Sequence, residues 1–328
     1  MKKKIFYWSP CLNPVGTVVS TINSAISLSK YDKNNDVRLI NVCGEWDQHR
    51  KTLNKNSIEL IDLNFKYFKI LPKRGFLGSR FSYIVIFLLS FFPLIFLLKK
   101  EQPNKIILHL ITSLPLTLLN IFKFKTDFIL RISGYPKLNI LRKFFWKASS
   151  KKLKIITCPT LDLKRDLENL NLFKQDNLHY LPDAIIKIDN LRKKNISDNF
   201  NFIKNKRVIL SVGRLTKQKN FSYLINEFSD FLKVNDNFIL LILGEGEEKK
   251  NLNKLIEDKQ LKGKVFLLGF KKDIYSFMKY SEIFILSSLW EEVGFVMVEA
   301  AICNSYIISS DCPNGPKEFL NNGKNGIL

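Results

Sequence analysis

The stretch "LWEEVGFVMVEAA", residues 289 to 301, sets Glu291, Glu292 and Glu299 in a run otherwise apolar enough for a protein interior. An ionised carboxylate taken out of water without a partner is costly, so carboxylates beside a core segment call for something to bind. Cations of matching use lie upstream. "RLTKQKN" carries Arg214, Lys217 and Lys219 directly after the strand-like run "RVILSVG" and before a helical pattern beginning near Phe221. Positive side chains at a strand end, beside the free N–H groups of a helix N-terminus, could cradle a diphosphate. As isolated lysines they would read as a solvated loop; Gly213 and the place at a strand end favour the site.

Other strand ends offer backbone rather than charge. "LILGEGEEKK" has Gly244 and Gly246 to turn the chain, but Glu245, Glu247 and Glu248 argue against a phosphate there. "VFLLGFKKD" offers Gly269 and Phe270, whose amide and carbonyl could read a nucleobase edge. In "NPVGTVV", Gly16 stands between a first strand and a first helix, as an anion-approaching turn or an ordinary one.

The elements that must position these residues follow a simple rhythm. "KIFYW" precedes "TVVSTINSAISLSK"; then come "VRLINVC", "KIILHLI", "SLPLTLLNIF", "DFILRIS" and "LKIITCP". Strand-length apolar runs alternating with helical patterns predict an α/β domain with a largely parallel sheet. A second such series starts at "RVILSVG" and continues through "FILLILG", "KVFLLGF", "EIFILSS" and "SYIISSD". Residues 1–188 form the first predicted domain, 189–206 a polar, Asn-rich linker and 207–328 the second. Ligands of doubly wound sheets sit outside the carboxyl ends of the strands, and two facing domains make the cleft between them the natural site.

At 328 residues with 46% hydrophobic content, both domains can bury a core. A formal net charge of +22 favours nucleic acid, anionic lipid or a phosphorylated substrate as partner, although the abundance of Lys, Asn, Ile and Phe also fits a base-composition bias. No zinc-finger, RNP-type or basic helix-turn-helix pattern accompanies the charge, and a nucleic-acid-binding role leaves Glu291 and Glu299 unexplained. The five cysteines are scattered, the histidines number three, and no Asp-x-Asp pair occurs, so neither a metal nor another cofactor is expected. The N-terminal apolar stretch meets Pro10 too soon for a signal peptide.

Taken together, "VGRLTKQKN", "LGEGEE", "FLLGF", "EIFILSSLWEEVGFVMVEAA" and "SSDCPNGPKEFL" resemble the donor half of retaining GT-B glycosyltransferases, the group often called family 4. The match covers about residues 207 to 328; the first half resembles the group more loosely, through "YWSPCLNPVGT". The resemblance implies two Rossmann-like doubly wound domains facing across a cleft. It implies transfer of a sugar, with retention, from a nucleotide diphosphate donor such as a UDP- or GDP-sugar to a glycan or lipid-linked acceptor. The group's Glu-x7-Glu element falls on Glu291 and Glu299. By the resemblance, Arg214 and Lys219 neutralise the leaving diphosphate without a metal. Glu299 binds the ribose hydroxyls, and Glu291 holds donor-sugar hydroxyls and faces the reacting centre. Gly16 gives a main-chain N–H from the opposite domain, and Gly269, Phe270, Gly294 and Phe295 complete the donor site. The leaving phosphate oxygen itself takes the acceptor proton, although a carboxylate nucleophile stays open. Many relatives have Gly-Gly where Val15-Gly16 stands, and many have a cleft histidine, for which His109 in "ILHLITS" is the candidate; a lone His on an apolar strand is otherwise a hydrogen-bonded core residue. The chain stops at "NGKNGIL", where the group continues through helices that pack back on the first domain, so the expectation is a fragment or a less closed cleft.

Two stretches bear on a membrane. "RFSYIVIFLLSFFPLIFLLKK", residues 80 to 100, has Lys73, Arg74 and Arg80 before its apolar run and Lys99 and Lys100 after it. It falls slightly short of the about 20 apolar residues of a span and contains Pro93. A domain helix, an in-plane helix on an anionic bilayer and a crossing are the three readings, the last of which would split the first domain. "KLNILRKFFWKASSKKLK" mixes Arg142, Lys143, Lys147, Lys151 and Lys152 with Phe144, Phe145 and Trp146, which suits an anionic membrane face or a solvated helix with its aromatics turned inward. The expected location is cytoplasmic, at the inner face of the plasma membrane, in cell-surface polysaccharide or lipopolysaccharide synthesis. The alternatives are a non-catalytic nucleotide-sugar or membrane-binding module and, further off, a nucleic-acid binder.

Overall fold

Each strand is followed by a segment that returns the chain to the same end of the sheet, and every strand pairing is accordingly parallel. The computed structural model describes residues 2–12, 16–63, 66–72, 76–136, 138–183 and 206–328. Contacts divide the chain into two units, residues 1–186 and 187–328. The predicted linker lies outside the described residues except for Lys206, as do Val15, Lys73 and Arg74.

The first unit runs β1 (Lys3–Trp8), α1 (Gly16–Tyr31), β2 (Asn35–Asn41), α2 (Arg50–Lys55), β3 (Glu59–Asp62), α3 (Phe76–Glu101) and β4 (Lys105–Leu108). It continues with α4 (Ser113–Ile121), β5 (Asp127–Arg131), α5 (Ile140–Ser150), β6 (Ile155–Cys158), α6 (Leu161–Asn169) and β7 (Leu178–Tyr180). The sheet order is β3-β2-β1-β4-β5-β6-β7. Successive strand residues feed opposite faces: Phe6 and Trp8 join one core with Ile40, Leu108 and Leu130, whereas Ile5 and Tyr7 join another with Val37, Leu39 and α1. Burial of both faces explains why the strands read as continuous apolar runs.

The second unit runs β8 (Arg207–Val212), α7 (Phe221–Phe231), β9 (Phe238–Leu243), α8 (Lys249–Asp258) and β10 (Val265–Gly269), then α9 (Tyr275–Tyr280), β11 (Ile283–Leu286), α10 (Phe295–Ile302), β12 (Tyr306–Ser309) and α11 (Gly315–Phe319). Its sheet order is β10-β9-β8-β11-β12. Each unit is therefore a Rossmann-like doubly wound sheet. Strand order reverses between β1 and β4 in the first and between β8 and β11 in the second, and such switch points open a crevice at the strands' carboxyl ends.

Helix α3 is the β3-to-β4 crossover, and its sequence builds two faces. Ser82, Ile86, Ser90, Leu94 and Leu98 recur every fourth residue and are buried. On other faces Leu77, Phe81, Ile84, Leu88, Phe92 and Phe96 are exposed. The helix is long and apolar enough to cross a membrane, but a third of its most apolar window is buried within the unit. A crossing would withdraw the Ile86–Leu94–Leu98 stripe from the core, so the structure favours a domain helix with an exposed apolar side.

The glycine-rich turn after β9 has a purpose the sequence reading missed. Gly244 adopts φ +147°, and a Cβ there would fall 1.8 Å from the Gly213 carbonyl oxygen. A Cβ at Gly246 would fall 2.2 Å from the Leu215 carbonyl oxygen. These glycines let the loop after β9 pack onto the loop that carries Arg214 and Lys219, with Leu215 N–H donating to the Glu245 carbonyl at 3.0 Å. Gly244→Ala is expected to cost about 3 kcal/mol or more. Urea unfolding of the full chain checks this, and an unchanged midpoint would contradict the close approach.

Candidate active site

At the second unit's switch point, β8 and β11 end side by side. After β8, Gly213 and exposed Arg214 lead into a 3₁₀ turn at Lys217–Lys219, which Asn220 closes in a left-handed conformation before α7 begins. The Lys219 stem folds back over Gly213: a Cβ there would lie 2.9 Å from Lys219 Cε. Glycine at this position thus aims Lys219 along the strand ends. The Lys219 ammonium donates to Glu291 Oε1, with the two side chains only 13% and 9% exposed.

The loop leaving β11 supports this pair. Ser288 Oγ donates to the same Glu291 oxygen at 2.5 Å, and Ser287 Oγ donates to the Lys219 carbonyl at 2.8 Å. Asn314 Nδ2 holds the Glu291 carbonyl at 3.2 Å. The carboxylate that seemed to need a bound molecule therefore has a protein cation as partner, which offsets the cost of burial. Arg214, by contrast, makes no ion pair among the described residues, so its charge faces solvent. Glu292 is exposed on the same loop.

Gly294 caps α10 in a left-handed conformation, φ +71°, which turns the loop sharply into the helix. Phe295 opens the helix half-buried, and Glu299 follows one turn on. Glu299 is buried and accepts a hydrogen bond from Tyr275 Oη at 3.1 Å. Burial pushes its carboxyl up to about 7, an effect the tyrosine bond only partly offsets. Gly269, at the end of β10, also has positive φ, and a Cβ there would fall 2.8 Å from Glu245 Oε1. Phe270 beside it is 78% exposed. Sequence reasoning missed Ser288 and Tyr275; a serine pair and a helical tyrosine carry no signal until the fold sets them against Glu291 and Glu299.

The two remaining predicted residues belong to the first unit. Gly16 is exposed at the start of α1. His109 follows β4 directly, with its amide bonded to the Trp8 carbonyl at 2.9 Å. Its Nδ1 lies 3.3 Å from Thr21 Oγ1, which is 3.1 Å from Ser9 Oγ. Burial, and then the nearby Arg131, push the imidazole down to about 3, so it is neutral near pH 7. Arg131 is committed to Asp183 at 2.7 Å, and Ser20 donates to the same carboxylate. His109 also borders a groove of about 1350 Å³ between α3 and α5. Among the described residues no cluster of three or more His, Cys, Asp or Glu could hold a metal.

The family model "Glycosyl transferases group 1" matches residues 192–328, the segment that carries Lys219, Glu291 and Glu299. Residues 192–328 belong to the glycosyl transferases group 1 family. The chain is 32% identical over 245 residues to an uncharacterized glycosyltransferase of Methanocaldococcus jannaschii, covering 68% of this chain and 59% of that protein. It is 33% identical over 143 residues to the Campylobacter jejuni N-acetylgalactosamine-N,N'-diacetylbacillosaminyl-diphospho-undecaprenol 4-alpha-N-acetylgalactosaminyltransferase, covering 44% and 38%. The chain thus spans between about two fifths and three fifths of the length of these relatives. Among solved structures, Anabaena HepE in complex with UDP and glucose aligns with TM-score 0.72 and 17% identity over 99% of this chain and 85% of that one. The fold is GT-B.

Because Glu299 ionises near pH 7 when folded and near 4.5 when unfolded, the unfolded state loses its proton first. Its contribution to stability is therefore full below about pH 4.5 and is lost as pH rises through about 7. Melting temperatures between pH 5 and 8 should show wild type losing on the order of 2–3 kcal/mol relative to Glu299→Gln. Parallel pH profiles for the two proteins would contradict the burial of an ionisable Glu299.

Proposed function

We propose that the protein is a retaining glycosyltransferase that moves a sugar from a UDP- or GDP-sugar to a glycan or lipid-linked acceptor. The observation that carries this reading is the buried Lys219–Glu291 pair at the β8–β11 switch point, with Glu299 on the helix that follows. Exposed Arg214 beside Lys219 supplies a second positive charge for a diphosphate. Burial makes the Lys219 charge effective against the negative charge that develops on a leaving phosphate. Neither Lys219 nor Arg214 needs a metal to do this.

In this reading Glu299 accepts hydrogen bonds from the ribose hydroxyls, and Glu291 faces the hydroxyls of the donor sugar. Gly269 and Phe270 present backbone groups to the base, and Gly294 and Phe295 present the N-terminal N–H groups of α10, which have no partner in the helix ladder. His109, neutral and tied to Thr21, is suited to accepting or sharing a hydrogen bond with an acceptor hydroxyl and not to acting as a cationic acid. The leaving phosphate oxygen then takes the acceptor proton as the new bond forms on the same face. The hydrogen bond that Ser288 donates to Glu291 weighs against its use as a free nucleophile.

The UDP held by the HepE structure supports a nucleotide diphosphate donor, and the diphospho-undecaprenol in the Campylobacter enzyme's name supports a lipid-linked acceptor. The exposed apolar side of α3 and the basic α5 support work at an anionic membrane surface, and in this reading the protein acts at the cytoplasmic face of the plasma membrane in cell-surface glycan synthesis. Release of nucleotide from a panel of sugar donors tests the activity. Lys219→Ala should lower turnover at least a hundredfold, and Glu299→Ala should raise the donor KM about tenfold by removing a charged hydrogen-bond acceptor. Wild-type kinetics in both variants would refute the assignment, and nucleotide binding without turnover would leave a binding module.

A further inference from the structure

We propose that Tyr275 is a positioning residue, whose hydroxyl fixes one oxygen of the Glu299 carboxylate so that the remaining acceptor positions meet a vicinal diol, and that diol binding is thereby tied to release of a proton. That the diol is the ribose of a nucleotide donor rests on the transferase reading; the Tyr275–Glu299 pair itself is read from the second unit alone.

Glu299 is only 9% exposed, yet it has no ion pair among the described residues. Its side-chain partner is Tyr275, the first residue of α9, whose Oη donates to Oε1 at 3.1 Å. Glu291 is served differently, because Lys219 neutralises it and Ser288 adds a further bond. A lysine in place of Tyr275 would occupy Glu299 in the same way. A hydroxyl orients a carboxylate without cancelling its charge, so its strength as an acceptor is kept for a ligand. An ionised carboxylate offers about four acceptor positions, of which Tyr275 takes one. Those left suffice for the paired O–H donors of a vicinal diol.

Tyr275 acts only as a donor in this pair. Burial, and then the Glu299 charge, push its phenol up, so it keeps its proton near pH 7. Its ring packs against the core that contains Met278, Met297 and Ala300, which holds the hydroxyl in place independently of Glu299. Glutamate is rich in rotamers, and fixing its carboxylate before a ligand arrives spares binding that ordering cost.

The same burial makes the charge of Glu299 conditional on pH. Burial raises its carboxyl to about 7, and the Tyr275 bond opposes that rise. The other titratable groups around it do not take over this role. Asp273 ahead of α9 accepts from Ser276 Oγ at 2.8 Å, and Lys279 on α9 acts on Cys303. Cys303, one turn beyond Glu299 on α10, is pushed up by burial and stays a neutral thiol. Strands β11 and β12, which also pack on α10, bring no titratable side chain except exposed Tyr306. Glu291, on the loop before α10, is matched by Lys219. Hydrogen bonds to an ionised acceptor are about twice as strong as neutral ones, so a diol binds the ionised form more tightly and expels the proton. Diol affinity therefore rises with pH through about 7 and then levels off. Removing the Tyr275 hydroxyl takes a donor from the ionised form and moves that rise to higher pH.

The test is calorimetry on the full 328-residue chain between pH 5.5 and 8.5 with UDP, GDP and the 2′,3′-dideoxy form of each. Each pair shares its base and phosphates, so the affinity ratio cancels phosphate titration and reads the diol alone. Wild type should prefer the ribose form by about tenfold at pH 8, and that preference should fall several-fold towards pH 5.5 with a midpoint near 7. Tyr275→Phe, which keeps the ring, should move the midpoint up by roughly half to one pH unit. Its preference at pH 7 should accordingly fall about threefold, while affinity for the dideoxy form changes less than about twofold. Glu299→Gln should flatten the profile. Site-specific replacement of Tyr275 by meta-fluorotyrosine, a stronger donor of nearly the same shape, should move the midpoint down. Equal affinity for ribose and dideoxy forms at every pH, a midpoint that neither tyrosine replacement moves, or an equal loss of affinity for both forms would each overturn the proposal and leave the transferase reading standing. Absence of any UDP or GDP binding would refute that reading, and the proposal with it.

Discussion

The buried ion pair between Lys219 and Glu291 is the constraint around which the second unit is built. Two charges at 13% and 9% exposure cost several kcal/mol each to desolvate, and only close pairing with added hydrogen bonds recovers it. The fold supplies those conditions from four places. Gly213 gives way to the lysine stem, and Ser287 holds the lysine's own carbonyl. Ser288 donates to the carboxylate, and Asn314 holds the backbone behind it. Gly244 and Gly246 bring the next loop against this one closely enough to fix its path. Removing one member of such a pair typically costs about 3–5 kcal/mol, because the other is left buried and uncompensated. A ligand that supplied a diphosphate for the lysine and hydroxyls for the carboxylate could replace the pair without leaving either charge alone.

The first unit handles polar groups at its own switch point differently. His109 is held neutral by burial and Arg131, and Arg131 is matched by Asp183, so little net charge is left near the imidazole. Its cations are instead carried outward on α5 and at the end of α3. The result is one unit with its decisive charge buried at the strand ends and another with its charge displayed beside apolar helix faces.

Much of this was legible in the sequence, for reasons particular residues make clear. Runs such as "FILLIL", buried at all six positions, announce central parallel strands because both faces are covered. Arg214, Lys219, Glu291 and Glu299 could be found because charge at strand ends and carboxylates in an apolar run are physically conspicuous. Short β3 and β7 were not found: "ELID" and "LHY" are mostly exposed edge strands without a sustained apolar pattern. Pairing was equally hidden. Nothing in the spacing says that Glu291 meets Lys219, 72 residues earlier, or that Tyr275 meets Glu299, since both contacts depend on which strands lie side by side. The two faces of α3 were also concealed, because a nearly uniform apolar run does not declare which stripe enters the core.

The central claim is that Lys219, released from Glu291, holds the diphosphate of a nucleotide donor. Calorimetric affinities of the full chain for a nucleoside diphosphate and for the bare nucleoside, in wild type and in Lys219→Met, test it most directly. The account predicts that wild type prefers the diphosphate by about a hundredfold or more, as expected for charge-assisted contacts in a largely buried site, and that Lys219→Met loses most of that preference while still binding the nucleoside. Equal affinity for the two ligands in wild type, or a preference untouched by the substitution, would contradict it.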